Sequence, residues 1–240
     1  MALAPRRMRL TEAHVAKVHR DLPEADAGPP HGLVEATEED YRRFVGEILE
    51  AAPVAGDVWV FAYGSLLWNP ACAFVEMRTG LLRGWHRSFC LGWNTRWRGS
   101  AENPGLMLAL DRGGVCKGVL YRLPPDEVEP NVELLCRREM SHKPSSFPPR
   151  WVKVETEEGH THALTFCIDR KSGRYVTGLD EDAVADVLAR AVGSRGSMAE
   201  YLFHTVRHLE EMGIRDHHLW RLQERVAERI EAMPLPAGDE

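Results

Sequence analysis

From Val58 to Ile168 the chain reads almost entirely as β-strand, and on both sides of that stretch it reads as helix. The strand candidates are the run Val58-Trp59-Val60-Phe61-Ala62 and the segments Gly84–Leu91, Leu106–Leu110, Val115–Leu123, Trp151–Thr156 and His162–Ile168. Each is rich in β-branched and aromatic residues. Gly113-Gly114 and Glu158-Gly159 are turn signals between them. One short helix interrupts the series, Val132–Met140, set off by Pro130 and by the Pro-rich stretch from Pro144 to Pro149. A β centre with helices first and last excludes a regular βαβ alternation and predicts an α+β fold.

The flanks carry their own signals. Thr11 caps a short helix from Glu12 to His19, and Asp21–Gly32, rich in Pro, Gly and acidic residues, reads as a linker. Thr37 and Asp40 open a stronger helix with Tyr41, Phe44, Val45, Ile48 and Leu49 on one face. Residues 1–36 are therefore expected to form an arm, and 37–240 a single domain. Three helices are expected at the end. The first bears Val184, Leu188 and Val192 and closes at Gly193. The second opens on Ser197 and Glu200 as a capping box, and the third runs from Asp216 to Pro234.

Charge and cysteine usage narrow the classes. The formal net charge of −6 argues against binding to nucleic acid, which needs phosphate neutralisation. No stretch approaches the roughly 20 apolar residues of a membrane span, and the basic N-terminus lacks the apolar core of a secretory signal. Cys72, Cys90, Cys116, Cys136 and Cys167 form no Cys-x-x-Cys pair, so buried thiols in a reducing cytoplasm are expected.

Two segments carry chemistry. At Tyr63-Gly64-Ser65-Leu66 the first strand breaks into a turn. Gly64 lets the backbone bend and approach a ligand, and successive N–H groups freed at a strand end can form an anion-binding nest. A strand that simply turns at glycine is the commoner origin of a lone Tyr-Gly-Ser. In Leu134-Leu135-Cys136-Arg137-Arg138-Glu139-Met140, Glu139 closes an element behind apolar residues, where partial burial would raise its pKa toward that of a proton shuttle. The competing account is a surface glutamate paired with Arg137 or Arg138.

Taken in order, the motifs resemble those of the ChaC-like γ-glutamylcyclotransferases, from about Asp57 to Ile230. They are Tyr63-Gly64-Ser65-Leu66 with Trp68-Asn69-Pro70, Gly84-Trp85-His86-Arg87-Ser88-Phe89-Cys90, and Arg137-Arg138-Glu139-Met140. Pro149-Arg150-Trp151-Val152 and Gly196-Ser197-Met198-Ala199-Glu200-Tyr201-Leu202 complete the set. The resemblance implies a small closed or half-closed β-barrel flanked by helices. It implies that Tyr63, Gly64, Ser65 and Leu66 bind a γ-glutamyl group, that Glu139 is catalytic and that Tyr201 lies near the substrate. The implied reaction is attack of the α-amine of glutathione on its own γ-carbonyl, giving 5-oxoproline and Cys-Gly. It needs no cofactor and no metal. A non-catalytic γ-glutamyl sensor or transport regulator, and a cyclotransferase for another γ-glutamyl amine, are the alternatives. Ala62 stands where the family often has glycine, which matters only if that site needs positive φ. The loop Ser141–Pro149 is longer than the family leads one to expect, and it is placed beside the leaving-group pocket.

Other residues draw bland expectations. His160 and His162 suit a solvated hairpin, and His204 and His208 lack the glutamate of a zinc-protease motif. Trp93, Asn94 and Trp97 are weaker candidates for lining the site.

Overall fold

The computed structural model describes residues 6–24, 28–29 and 32–234. In chain order the elements begin with α1 (Glu12–Val18), β1 (Val34–Glu35), α2 (Glu38–Glu50), β2 (Trp59–Ala62), β3 (Glu76–Asn94) and β4 (Gly105–Arg122). α3 (Val128–Glu139), β5 (His142–Lys143), β6 (Pro149–Thr156) and β7 (Gly159–Phe166) follow. α4 (Glu181–Arg190), β8 (Val192–Gly193), β9 (Gly196–Ser197), α5 (Met198–Glu211) and α6 (His217–Ala232) complete the chain. Two compact units share these elements. One draws its described residues from Gly28–Ser88 and Leu108–Tyr175, the other from Met1–Ala27, Phe89–Met107 and Val176–Glu240.

The first unit is built on a closed barrel with strand order β2-β4-β3-β6-β7, so the expected α+β barrel is present. β2 runs antiparallel to β4, with Ala62 opposite Val119, and parallel to β7, with Val60 opposite Leu164. Val60, Phe61, Ala62, Val119, Leu120 and Leu164 are completely buried. A continuous apolar run such as Val58 to Ala62 fits a strand covered on both faces. No described residue other than glycine has positive φ, so Ala62 is tolerated in β2.

The structure departs from expectation in four places, the last being after α4, which ends at Arg190 so that Val192 and Gly193 pair with β9 and do not extend the helix. β3 starts at Glu76, well before the predicted Gly84. Its first residues are charged and hide the strand pattern. Glu76 pairs with Arg78 and with Arg122 of β4, and the Arg78 guanidinium lies 4.7 Å from the Trp59 ring centroid. β4 is one strand, not two. Gly113 and Gly114, at φ +102° and +69°, bend it without reversing it. α3 begins at Val128, and Pro130 sits in its first turn, where the missing N–H would have no helical acceptor anyway.

Gly118 of β4 is required by packing. A Cβ there would come within 2.6 Å of both the Ala62 carbonyl oxygen and the Phe61 ring. Gly118→Ala is therefore expected to lower stability by about 1–3 kcal/mol, read as a lower denaturant midpoint with unchanged slope.

In the second unit, Ser197 and Asp216 cap α5 and α6 as the sequence predicts, accepting from Glu200 and Leu219 N–H groups, and Asp180 caps α4 by accepting from Ala183 N–H. Of the predicted linker Asp21–Gly32, residues 25–27, 30 and 31 lie outside the described residues. Among the described residues no helix is long and apolar enough to cross a membrane.

Candidate active site

At the end of β2 the chain turns through Tyr63 and Gly64 into a single 3-10 turn, Ser65–Leu67. The Tyr63 hydroxyl donates to the carbonyl of Phe166 at 3.0 Å, tying the turn to the end of β7. Its own carbonyl accepts a 2.6 Å hydrogen bond from Nε of Arg87, a side chain only 5% exposed. Arg87 Nη2 also donates to the carbonyl of Lys117. The Tyr63–Gly64 peptide is trans, so fixing its carbonyl aims the Gly64 N–H the opposite way. The N–H groups of Ser65 and Leu66 open the 3-10 turn and have no acceptor inside it. The turn therefore opens on backbone N–H groups that it does not itself use.

Arg138 joins this turn to Glu139. Its Nη2 donates to Ser65 Oγ at 2.8 Å, its Nη1 to the carbonyl of Asn69 at 2.5 Å, and its Nε lies 3.2 Å from Glu139 Oε1. Ser65 Oγ accepts here, which leaves its own proton to donate. Glu139 is the last residue of α3, and Met140 closes the helix with an N–H bond to Cys136. The Glu139 side chain is 17% exposed. Burial pushes its pKa above the ordinary glutamate value, and the neighbouring Arg138 cation opposes that rise. Both sequence accounts of Glu139 are therefore partly realised: it is ion-paired and it is also desolvated. Arg137 points elsewhere, to Glu133 and Glu38.

The sequence reading underrated Arg138 and did not single out Arg87. The signal in the sequence is that Arg87 shares its strand face with Trp85, Phe89 and Leu91. The cysteines carry no comparable chemistry. None of the five is in a disulfide and all are buried, and burial pushes the thiols of Cys72, Cys136 and Cys167 up to about 11, 12 and 12. Among the described residues no group of three or more His, Cys, Asp or Glu side chains could hold a metal ion.

Tyr201 belongs to the second unit. It is 2% exposed, packs edge-on against Phe89 at 6.2 Å between centroids, and lies 5.9 Å from the Arg98 guanidinium. Arg98 also bonds the Glu200 carboxylate, so Glu200 does not complete the predicted capping box. Asn94 Oδ1 accepts from the backbone N–H groups of Trp97 and Arg98, both at 2.9 Å, which accounts for its burial. His208 Nδ1 lies 2.8 Å from the His204 carbonyl within α5.

Residues 58–229 match the ChaC-like protein family. The glutathione-specific γ-glutamylcyclotransferase of Escherichia coli K12 is 41% identical over 169 residues, covering 70% of this chain and 72% of that protein. Glutathione-specific γ-glutamylcyclotransferase 1 of Mus musculus is 29% identical over 200 residues, covering 78% of this chain and 87% of that one. In fold, the glutathione-specific γ-glutamyl cyclotransferase of yeast superposes with a TM-score of 0.65 at 23% identity, covering 72% of this chain and 96% of that one. The chain belongs to the ChaC-like family.

Proposed function

We propose that this protein is a γ-glutamylcyclotransferase that converts glutathione to 5-oxoproline and Cys-Gly, with Glu139 moving the protons. The observation that carries the assignment of Glu139 is its half-buried carboxylate, held through Arg138 against Ser65 of the turn. The names of its relatives support the substrate.

Nucleophile and electrophile are in one molecule, so the protein's main task is to fold the substrate until the amine meets the γ-carbonyl. The oriented N–H groups of the Tyr63–Leu66 turn suit the substrate's α-carboxylate. Glu139 takes a proton from the α-ammonium. The freed amine adds to the γ-carbonyl carbon and its nitrogen gives up a second proton; the C–N bond to cysteine breaks as the same carboxyl returns its proton, and the leaving nitrogen, having gained both protons, departs as an ammonium. A raised pKa suits a group that must accept and then release a proton within one turnover. Free, buried thiols support a cytoplasmic placement.

Glu139 must be ionised to act as a base, so activity rises with pH as it loses its proton. Arg138→Gln removes the cation that favours the carboxylate. The acid limb of kcat/KM is expected to move to higher pH in that variant, and KM to rise because Ser65 loses its anchor. A pH–rate profile checks both. Purified protein incubated with glutathione, and separately with γ-glutamyl-alanine, tests the substrate. Release of 5-oxoproline from γ-glutamyl-alanine alone would keep the reaction and overturn glutathione, and release from neither would favour a sensor.

A further inference from the structure

A groove of about 840 Å³ opens in the wall of the barrel, a size typical of small-ligand sites. Its cause is the strand pairing. β6 pairs with β7 along its whole length, but with β3 only at Leu81 opposite Glu155 and Leu82 opposite Val154. Residues Pro149 to Lys153 of β6 line the groove.

The groove is positively charged within an acidic protein. Arg83, Arg112, Arg150 and Lys153 line it against one carboxylate, Glu47. Arg83 is neutralised by Glu155. Among the described residues no carboxylate lies within ion-pair distance of Arg112 or Arg150. Both guanidinium groups lie over the Trp85 ring, at 5.2 and 5.9 Å from its centroid. Contact with a ring orients a guanidinium without using its N–H donors, which stay available for the two oxygens of a carboxylate. Met140, the residue after Glu139, lines the same groove, as do Pro148 and Pro149 at the far end of the loop that follows it.

We propose that this groove is the subsite for the leaving half of a γ-glutamyl peptide, and that Arg112 and Arg150 bind its terminal carboxylate. The inference rests on the reading of the chain as a glutathione-cleaving cyclotransferase. Two extended residues span about 7 Å, the reach from the leaving nitrogen to the glycine carboxylate, and Met140, next to Glu139 in the chain, lines the groove. The substrate class is thereby narrowed to γ-glutamyl peptides with a free C-terminal carboxylate.

The experiment compares glutathione with its glycine ethyl ester, which lacks that charge, in the wild type, in Arg112→Gln/Arg150→Gln and in Arg150→Lys. The wild type is expected to prefer glutathione by about ten-fold or more in kcat/KM. The double variant should bring that ratio close to one, with the loss in KM. Arg150→Lys, which keeps the charge but not the fork, should fall between. An unchanged preference in the double variant, or a wild type that does not discriminate, overturns the subsite while leaving the cyclotransferase reading intact. Absence of 5-oxoproline from both peptides overturns that reading and the subsite together.

Discussion

Glu139→Gln is expected to lower turnover by about 10²–10⁴-fold, the range for loss of a general acid–base group, and at the same time to raise the melting temperature once the pH exceeds the folded-state pKa of Glu139. The two effects have one origin. Burial raises the pKa of Glu139 in the folded state, so the folded protein holds a proton that the unfolded chain gives up more readily. The associated stability is complete below the unfolded-state pKa and is lost as pH rises through the folded-state pKa. Above its folded-state pKa the wild type therefore keeps a desolvated carboxylate at a cost in stability. Glutamine has nearly the same shape and no charge to desolvate. Thermal melts across pH should show the wild type losing more stability than the variant as pH rises above the ordinary glutamate range. A variant that is inactive and less stable than the wild type at every pH would show that Glu139 serves the fold through its pair with Arg138, not at a cost to it.

Arg87→Met is expected to cost about 1–3 kcal/mol, because it strips the donor from one buried backbone carbonyl and from a second that is partly buried. Those of Tyr63 and Lys117 both accept from the guanidinium. Against a typical total of about 5–15 kcal/mol, that is a large share. Methionine fills much of the same volume, so the loss reflects hydrogen bonding more than a cavity. The same change frees the Tyr63–Gly64 peptide to rotate, and with it the Gly64 N–H that the turn presents. A fall in kcat/KM of roughly ten-fold or more should therefore accompany the loss of stability, measured well below the melting temperature so that the enzyme stays folded. A lower denaturant midpoint with unchanged kinetics would confine Arg87 to holding the barrel together.

Much of this was legible in the chain. The run from Val58 to Ala62 announced a buried strand because both its faces are apolar, and Thr37, Ser197 and Asp216 announced helix starts because their side chains satisfy otherwise unpaired N–H groups. The beginning of β3 was not legible, since its stability there comes from Glu76, Arg78 and Arg122 meeting across strands far apart in sequence. Gly113-Gly114 misled for a related reason. Positive φ at two glycines serves a hairpin or a bend equally well, and only the neighbouring strand decides which forms. At the site, the turn and the carboxylate were visible as motifs, but the residue joining them was not. Arg138 looked like a surface partner for Glu139, and its bonds to Ser65 and Asn69 exist only once α3 is set beside the turn. Arg87 was hidden because an arginine in a strand usually points to water.

The account stands on cyclisation within the substrate, and the products of glutathione breakdown test it most directly. Purified protein should yield 5-oxoproline and Cys-Gly in equal amounts, with Glu139→Gln yielding neither at a comparable rate. Free glutamate in place of 5-oxoproline would mean that water, not the substrate's own amine, attacks the γ-carbonyl, and would contradict the mechanism built on the Tyr63–Leu66 turn and Glu139.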